Sequence, residues 1–222
     1  MDKIINHGIP HVAELVFESI DTPELIKCLE VSETWKILAE NVLIKRWKGK
    51  MFEACKNGET KIVQLLLERC NSEESGLNIK DEHGETAFMW ACSNGHKDVV
   101  KLLLDYSEGI DLNARDNVMK WTAFMLACIL GHKDVVKLLL DHTNSNIDLN
   151  ARDEGGYNGL ERAYFNGHRD IAKLLLDHPN RIEYKRLLLL VNVTELTRKN
   201  WLRFINEFGC QEMKLVHRPK VF

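Results

Sequence analysis

The side chains best suited to holding a metal or to nucleophilic chemistry are the cysteines, of which the chain has six. No C-x-x-C pair occurs, so the spacing typical of zinc knuckles is absent. Cys55, Cys92 and Cys128 each follow an alanine and lie three residues before a glycine. A recurring position that accepts only small residues indicates helix packing, where a thiol acts as a small apolar group.

Three histidines also recur at a fixed position, directly after a glycine: His96, His132 and His168. Successive units of a helical stack lie about 10 Å apart, whereas zinc ligands must come within about 2 Å of one ion. We therefore expect structural histidines and no metal site. The sequence shows no Cys–His catalytic pair, paired carboxylates, Walker loop or G-x-S-x-G elbow. This pattern predicts a non-catalytic protein without a cofactor.

One line of sequence recurs four times, with glycines at positions 58, 95, 131 and 167. Such a period indicates a solenoid whose units bury their apolar faces against one another. Each unit reads as two helices. The first is short and apolar, as in residues 86–92, and the second starts with an acid and continues Val-Val-Lys-Leu-Leu-Leu, as in residues 98–104. The fold class is predicted to be all-α.

The segment Gly84-Glu85-Thr86-Ala87-Phe88-Met89-Trp90-Ala91 resembles the ankyrin repeat pattern Gly-x-Thr-Pro-Leu-His-x-Ala. The resemblance covers about residues 48–180 and predicts about four repeats over residues 49–180. The period exceeds the family's usual 33 residues, and we place the surplus in loops 106–109 and 143–146. The fourth unit lacks the signature at residues 158–163, so we expect a less regular first helix there.

Residues 1–48 do not carry the repeat and read as three short apolar helices. Their order is similar to the F-box motif, in Ile9-Pro10, in residues 17–25, and in Val31-Ser32-Glu33-Thr34-Trp35-Lys36-Ile37-Leu38 followed by Trp47. The first helix is one residue short, and Ile9 replaces the usual leucine. A plain N-terminal helical cap of the repeat stack is the alternative.

The F-box resemblance implies the substrate receptor of a Skp–cullin–F-box ubiquitin ligase, with the module on the Skp adaptor and the repeats on a target protein. Such proteins occur in eukaryotes and as effectors of intracellular pathogens. A scaffold or inhibitor without a ligase link is the alternative function. Within the module, Val31 and Trp35 are expected to hold the helices together. The expected adaptor-binding residues are Ile9, Pro10, Leu15, Phe17, Ile20, Leu25, Leu29, Val31 and Trp35.

In ankyrin proteins the partner usually lies against the turn tips and the first helices of the repeats. Trp121 is the leading candidate, because it is expected to be exposed in a tip, and tryptophan is enriched in binding hot spots. Packing in the core is the alternative for Trp90, Leu126 and Trp121. The expected target-binding surface comprises Glu82, His83, Glu85, Trp90, Met119, Lys120, Trp121, Leu126, Ile129, Leu130, Arg162 and Phe165.

The charge of the chain is unevenly distributed. Residues 51–180 carry 21 acidic and 14 basic residues, which argues against nucleic acid as the ligand and favours a target with an apolar anchor and basic surroundings. Residues 181–222 carry 9 basic and 4 acidic residues and are expected to form a helical C-terminal cap. No apolar run is long enough for a membrane span and no signal peptide is visible. We expect a cytoplasmic protein, in the host cytoplasm if it is a secreted effector.

Overall fold

The computed structural model describes residues 10–47, 50–69, 77–106, 109–142 and 146–177, and the side chains from residue 13 onward. Within these residues all regular structure is helical, so the predicted all-α class is confirmed. The expected C-terminal cap and Ile9 lie outside the described residues. The helices are α1 (Pro10–Ser19), α2 (Thr22–Cys28), α3 (Glu33–Trp47), α4 (Met51–Asn57), α5 (Thr60–Arg69), α6 (Ala87–Ser93), α7 (Lys97–Asp105), α8 (Ala123–Leu130), α9 (Lys133–Asp141), α10 (Gly159–Phe165) and α11 (Arg169–Leu176).

The helices from α4 onward form four pairs, each a short inner helix followed by an outer helix. Before three of the four inner helices, α6, α8 and α10, the side chain of the preceding residue accepts a hydrogen bond from the backbone three residues on, which fixes where the helix begins. Thr86 and Thr122 do this for α6 and α8, each at 3.3 Å. Asn158 does it for α10, where Glu161 completes a capping box. The expectation of a less regular fourth inner helix was therefore wrong.

The outer helices bury one apolar face against the inner helices. In α7 the buried side chains are Val99, Val100, Leu103 and Leu104, at helical spacing, while Lys97 is exposed. The same pattern recurs in α9 and α11. The outer helices also contact one another from repeat to repeat. A single apolar core results, running from Phe17 in the first helix to Leu176 in the last.

The inner helices approach one another through small residues. Cys55, Cys92 and Cys128 are all fully buried there beside alanines. Burial raises the pKa of Cys55 to about 12 and raises that of the other two thiols further. These thiols therefore stay protonated at neutral pH and act in packing.

A glycine and a histidine join each repeat to the next. Gly95 has a left-handed backbone with φ of 72°, and a Cβ atom on it would lie 2.5 Å from Nδ1 of His132. The same imidazole makes a 2.7 Å hydrogen bond from Nε2 to the carbonyl oxygen of Ser93. Glycine is required here both by the backbone conformation and by the histidine ring above it. The equivalent pairs are Gly58 with His96 and Gly131 with His168.

Asparagine side chains also connect successive repeats, through hydrogen bonds to the backbone of the next turn. Asn78 accepts a hydrogen bond from the backbone of Asp111 at 3.0 Å. One repeat later, Asn113 accepts from the backbone of Asp148 at 2.7 Å and donates to the carbonyl of Asn146 at 2.6 Å. These contacts satisfy turn backbone groups that no helix pairs.

The N-terminal module, residues 13–47 of helices α1 to α3, shares its core with the first repeat. Helix α3 packs against α5, and Arg69 of α5 makes a 2.8 Å ion pair with the buried Glu40 of α3. Arg46 donates to the carbonyl oxygen of Ile20 at 2.9 Å and so ties α3 to the end of α1. Among the described helices, none combines the length and apolar character that crossing a bilayer demands.

The glycine–histidine contact can be tested with Gly95→Ala and the matched variant Gly167→Ala. Gly167 has the same position in its repeat and a φ of 82°, but no described atom lies within 4 Å of the place that a Cβ atom would take. We expect Gly167→Ala to lower the free energy of unfolding by about 1 kcal/mol through backbone strain. Gly95→Ala should cost about 2–3 kcal/mol, because His132 must also leave its hydrogen bond. Urea denaturation measures both, and equal losses would show that the histidine contact contributes nothing.

Candidate functional site

The turns that precede the inner helices each start from an aspartate whose carboxylate organises the turn. Asp116 accepts hydrogen bonds from the backbone of residues 118, 119 and 120 at 2.7–2.9 Å. Asp81 accepts from the backbone of residues 83 and 85, both at 2.9 Å. Asp153 accepts from the backbone of Tyr157 at 2.9 Å. The three turns therefore lie in register, each in front of its inner helix.

The turn of the third repeat is one residue longer than its neighbours, because five residues separate Asp116 from Thr122 whereas four separate Asp81 from Thr86. Lys120 has a positive φ of 60°, where the neighbouring turns have glycines with φ of 80° and 76°. A lysine in this left-handed region is strained and is held by its hydrogen bond to Asp116. No feature of the sequence pattern predicts this conformation.

Trp121 is half-buried, so the expectation of an exposed side chain in the tip was wrong. Its indole Nε1 donates to a carboxylate oxygen of Asp153 at 3.3 Å, in the turn of the next repeat. The guanidinium of Arg162 lies 6.0 Å from the centre of the indole. The Trp121 side chain therefore bridges two repeats. The hydrogen bond is favourable because the buried carboxylate of Asp153 needs donors.

Arg162 is the main partner of Asp153. It donates from Nε at 2.5 Å and also from Nη2, and the Asp153 side chain is fully buried. The guanidinium stacks over Tyr157 at 4.9 Å, and Tyr157 meets Phe165 edge to face at 5.4 Å. The arginine is therefore charge-neutralised and locked in place.

Three aromatic side chains lie around this pair: the rings of Trp121 and Tyr157 lie near the Arg162 guanidinium, and Phe165 contacts Tyr157. We define the aromatic patch as these three side chains together with Leu130, the last residue of α8, a helix that packs against α10. Phe165 is 50% exposed and Leu130 is 49% exposed. Among the described inner helices, no other large apolar residue is as exposed as these two. Phe165 and Leu130 were both predicted surface residues, whereas Tyr157 was not.

Two other predicted target-binding residues occupy the position equivalent to Arg162. Leu126 is only 4% exposed, so its inclusion in the binding surface was wrong; it packs in the core, as the alternative held. Trp90 is half-buried and donates from Nε1 to Asp81 at 2.9 Å, with the Lys56 ammonium 4.1 Å from its ring centre. Of the remaining predicted residues, Met119 and Ile129 are half-buried.

The turn of the second repeat is acidic. Glu82 and His83 are exposed at its tip. Burial, followed by the carboxylates of Asp81 and Asp116, raises the pKa of Glu85. For Asp81, burial acts to raise the pKa, but hydrogen bonds from the backbone of Glu85, the Trp90 indole and the backbone of His83 bring it below its usual value. We call Asp81, Glu82 and Glu85 the acidic turn.

The predicted adaptor-binding residues fall into two groups. Phe17 and Leu25 are fully buried in the core, so their assignment to an adaptor surface was wrong. Trp35 packs edge to face on Phe17 at 5.5 Å, and Ile20 and Leu29 also pack partly against the core. Pro10 begins α1, and its side chain is not described.

The second group is exposed. Leu15 is 52% exposed and Val31 is 59% exposed, so the expectation that Val31 holds the module together was wrong. Val16 and Ile37, at 37% and 51%, are exposed as well and were not among the predicted residues. Helical spacing explains the exposure of Leu15: in α1 the buried positions are Ala13 and Phe17, and Leu15 lies between them on the opposite face. Val31 lies in the turn before α3.

The family model described as Ankyrin repeats (3 copies) matches residues 49–116 and 114–186. These matches cover more than half of the chain. The chain belongs to the ankyrin repeat family. A comparison with curated proteins gave no match. The matched residues contain all four helix pairs and leave out the N-terminal module.

The ankyrin repeats make the chain a protein-interaction scaffold. The described residues contain no group of three or more histidine, cysteine or acidic side chains placed to hold a metal ion. The repeats expose Phe165 and Leu130 of the aromatic patch and Glu82 of the acidic turn.

The bridging role of Trp121 predicts that Trp121→Ala destabilises the ankyrin stack. We expect a loss of about 2 kcal/mol in the free energy of unfolding, from half-burial of a large side chain and one hydrogen bond to a buried carboxylate. Val118→Ala is the matched control, because Val118 lies in the same turn and is 65% exposed; it should change stability by less than about 0.5 kcal/mol. If the two variants lose equal stability in thermal unfolding, Trp121 does not bridge the repeats and its side chain is exposed in the tip.

The raised pKa of Glu85 predicts a pH-dependent effect of Glu85→Gln. Because the folded state binds this proton more tightly than the unfolded state, ionised Glu85 destabilises the fold above its pKa, and protonation removes that cost as the pH falls. The variant should therefore melt at a higher temperature than the wild type at pH 7.5, and the gap should close towards pH 4. Glu82→Gln, at an exposed side chain, should show no such gap. A gap that is constant with pH would contradict this assignment.

Proposed function

We propose that the chain is the non-catalytic substrate-recognition subunit of a Skp–cullin–F-box ubiquitin ligase in the cytoplasm. The N-terminal module binds the Skp adaptor and, through it, a cullin, while the ankyrin repeats hold the target protein. A separate ubiquitin-conjugating enzyme supplies the chemistry. The chain contributes proximity, which raises the effective concentration of target lysines near that enzyme.

The observation that carries this proposal is the exposed apolar set of the module. Of nine large apolar residues exposed in the described parts of the chain, four lie there: Leu15, Val16, Val31 and Ile37. Such a concentration on a small module is typical of a protein-binding surface. The three helices also follow the F-box order, with Asp21 capping α2 and Trp35 packed inside.

The packing of the module on the repeats suits a receptor. Helix α3 lies against α5, and the Glu40–Arg69 ion pair fastens the two. A target on the inner helices would therefore be presented at a fixed orientation to the adaptor. The same packing would suffice for an N-terminal cap, so a scaffold or inhibitor without a ligase link is the alternative.

Gel filtration of the purified full chain with a purified Skp adaptor distinguishes the ligase receptor from the scaffold or inhibitor. We expect co-elution for the wild type. The double variant Leu15→Asp with Val31→Asp should lose it, because charges replace exposed apolar contacts at no cost to the core. Val118→Asp is the control, since Val118 is 65% exposed in a repeat turn. Absence of co-elution, or equal binding by the double variant, would refute the F-box assignment.

A further inference from the structure

We propose that the repeats bind an extended segment of the target that carries a large apolar side chain for the aromatic patch and a pair of lysines or arginines for the acidic turn. The inference deepens the target-binding half of the proposed function and is independent of the adaptor half. It names the chemistry of the segment and the spacing of its two elements.

The apolar anchor follows from the shape and chemistry of the aromatic patch. Phe165 and Leu130 each expose about half of their surface, while Tyr157 supports Phe165 edge to face. The nearby Arg162 offers little charge to a ligand, because it is paired with the buried Asp153. A patch without free charge favours an apolar side chain, and rings already fixed by packing lose little entropy when they bind one.

The basic pair follows from the charges of the acidic turn in the second repeat. In the acidic turn, Glu82 points its carboxylate into solvent with 89% of its side chain exposed. Burial of Glu85, followed by repulsion from the carboxylates of Asp81 and Asp116, disfavours its ionised form and raises its pKa. The Lys56 ammonium acts to lower the pKa of Glu85, but Lys56 already lies over the ring of Trp90. A lysine or arginine from a partner would relieve the repulsion among these carboxylates.

The spacing follows from the repeat. The acidic turn belongs to the second repeat, and the aromatic patch spans the third and fourth. One to two repeat intervals of about 10 Å each separate them. An extended chain rises about 3.3 Å per residue, so about three to six residues connect the basic pair to the apolar anchor. This spacing suits one continuous segment.

A library of random twelve-residue peptides displayed on phage, selected on the immobilised full chain, tests the proposal. Selected peptides should carry an aromatic residue or leucine about three to six residues from a Lys/Arg pair. In fluorescence anisotropy with the selected peptides, Phe165→Ser should weaken binding at least tenfold. Tyr106→Ser, at an aromatic residue 41% exposed outside the patch, should leave binding within twofold of the wild type.

Charge reversal tests the second element separately. The double variant Glu82→Lys with Glu85→Gln should weaken the same peptides at least fivefold and flatten the salt dependence of binding, because it removes the carboxylates that attract the basic pair. Circular dichroism should show wild-type helicity for each variant. If Phe165→Ser lowers the helicity, Leu130→Asn on the same patch replaces it.

Three outcomes would overturn the proposal. The first is that no peptide is selected, as when residues 178–222 or a second copy of the chain cover the patch. The second is that the selected peptides lack the apolar anchor or the basic pair. The third is wild-type affinity in the Phe165→Ser or Leu130→Asn variant. None of these results bears on co-elution with the Skp adaptor, so the two halves of the proposed function fail separately.

Discussion

The contact of a histidine ring with a glycine of the preceding repeat sets the geometry on which the ankyrin stack depends. A helix pair of this size cannot bury its apolar face alone, so each repeat is stable only when its neighbour lies at the right distance. At Gly95 the ring of His132 occupies the space of a side chain and bonds to the carbonyl of Ser93. Because the same contact recurs along the chain, the turns and inner helices come into register.

Register places equivalent residues side by side, but it does not give them equivalent surroundings. Trp90, Leu126 and Arg162 share one position in the repeat. The number of backbone hydrogen bonds that each turn aspartate accepts determines which side chain can occupy this position. Asp116 takes its donors from the backbone of its longer turn, so the position behind it can be the buried Leu126. Asp81 and Asp153 accept fewer backbone hydrogen bonds, and a polar side chain supplies the rest: the Trp90 indole in one case, the Arg162 guanidinium in the other.

The difference between interactions within one repeat and interactions with the next repeat explains which features could be predicted from the sequence. The period, the two helices of each repeat and the packing role of Cys92 follow from local pattern, because helical spacing and small residues act within one repeat. The burial of Trp121 could not be predicted, because its partner Asp153 lies 32 residues away in the next turn. The regular fourth inner helix was predictable: Asn158 followed three residues later by Glu161 is a capping-box signature.

In the N-terminal module as well, the sequence predicted the helices but not which apolar side chains are buried. Motif order predicted its three helices, but a motif does not distinguish an apolar residue that builds the core from one that faces a partner. Helical spacing makes that distinction: Phe17 lies on the buried face of α1 with Ala13, and Leu15 on the opposite face. In the proposed assembly the two groups depend on each other, because the buried group and the Glu40–Arg69 pair hold the exposed group at a fixed position relative to the repeats. A receptor built in this way would orient its target through the same apolar core that stabilises its fold.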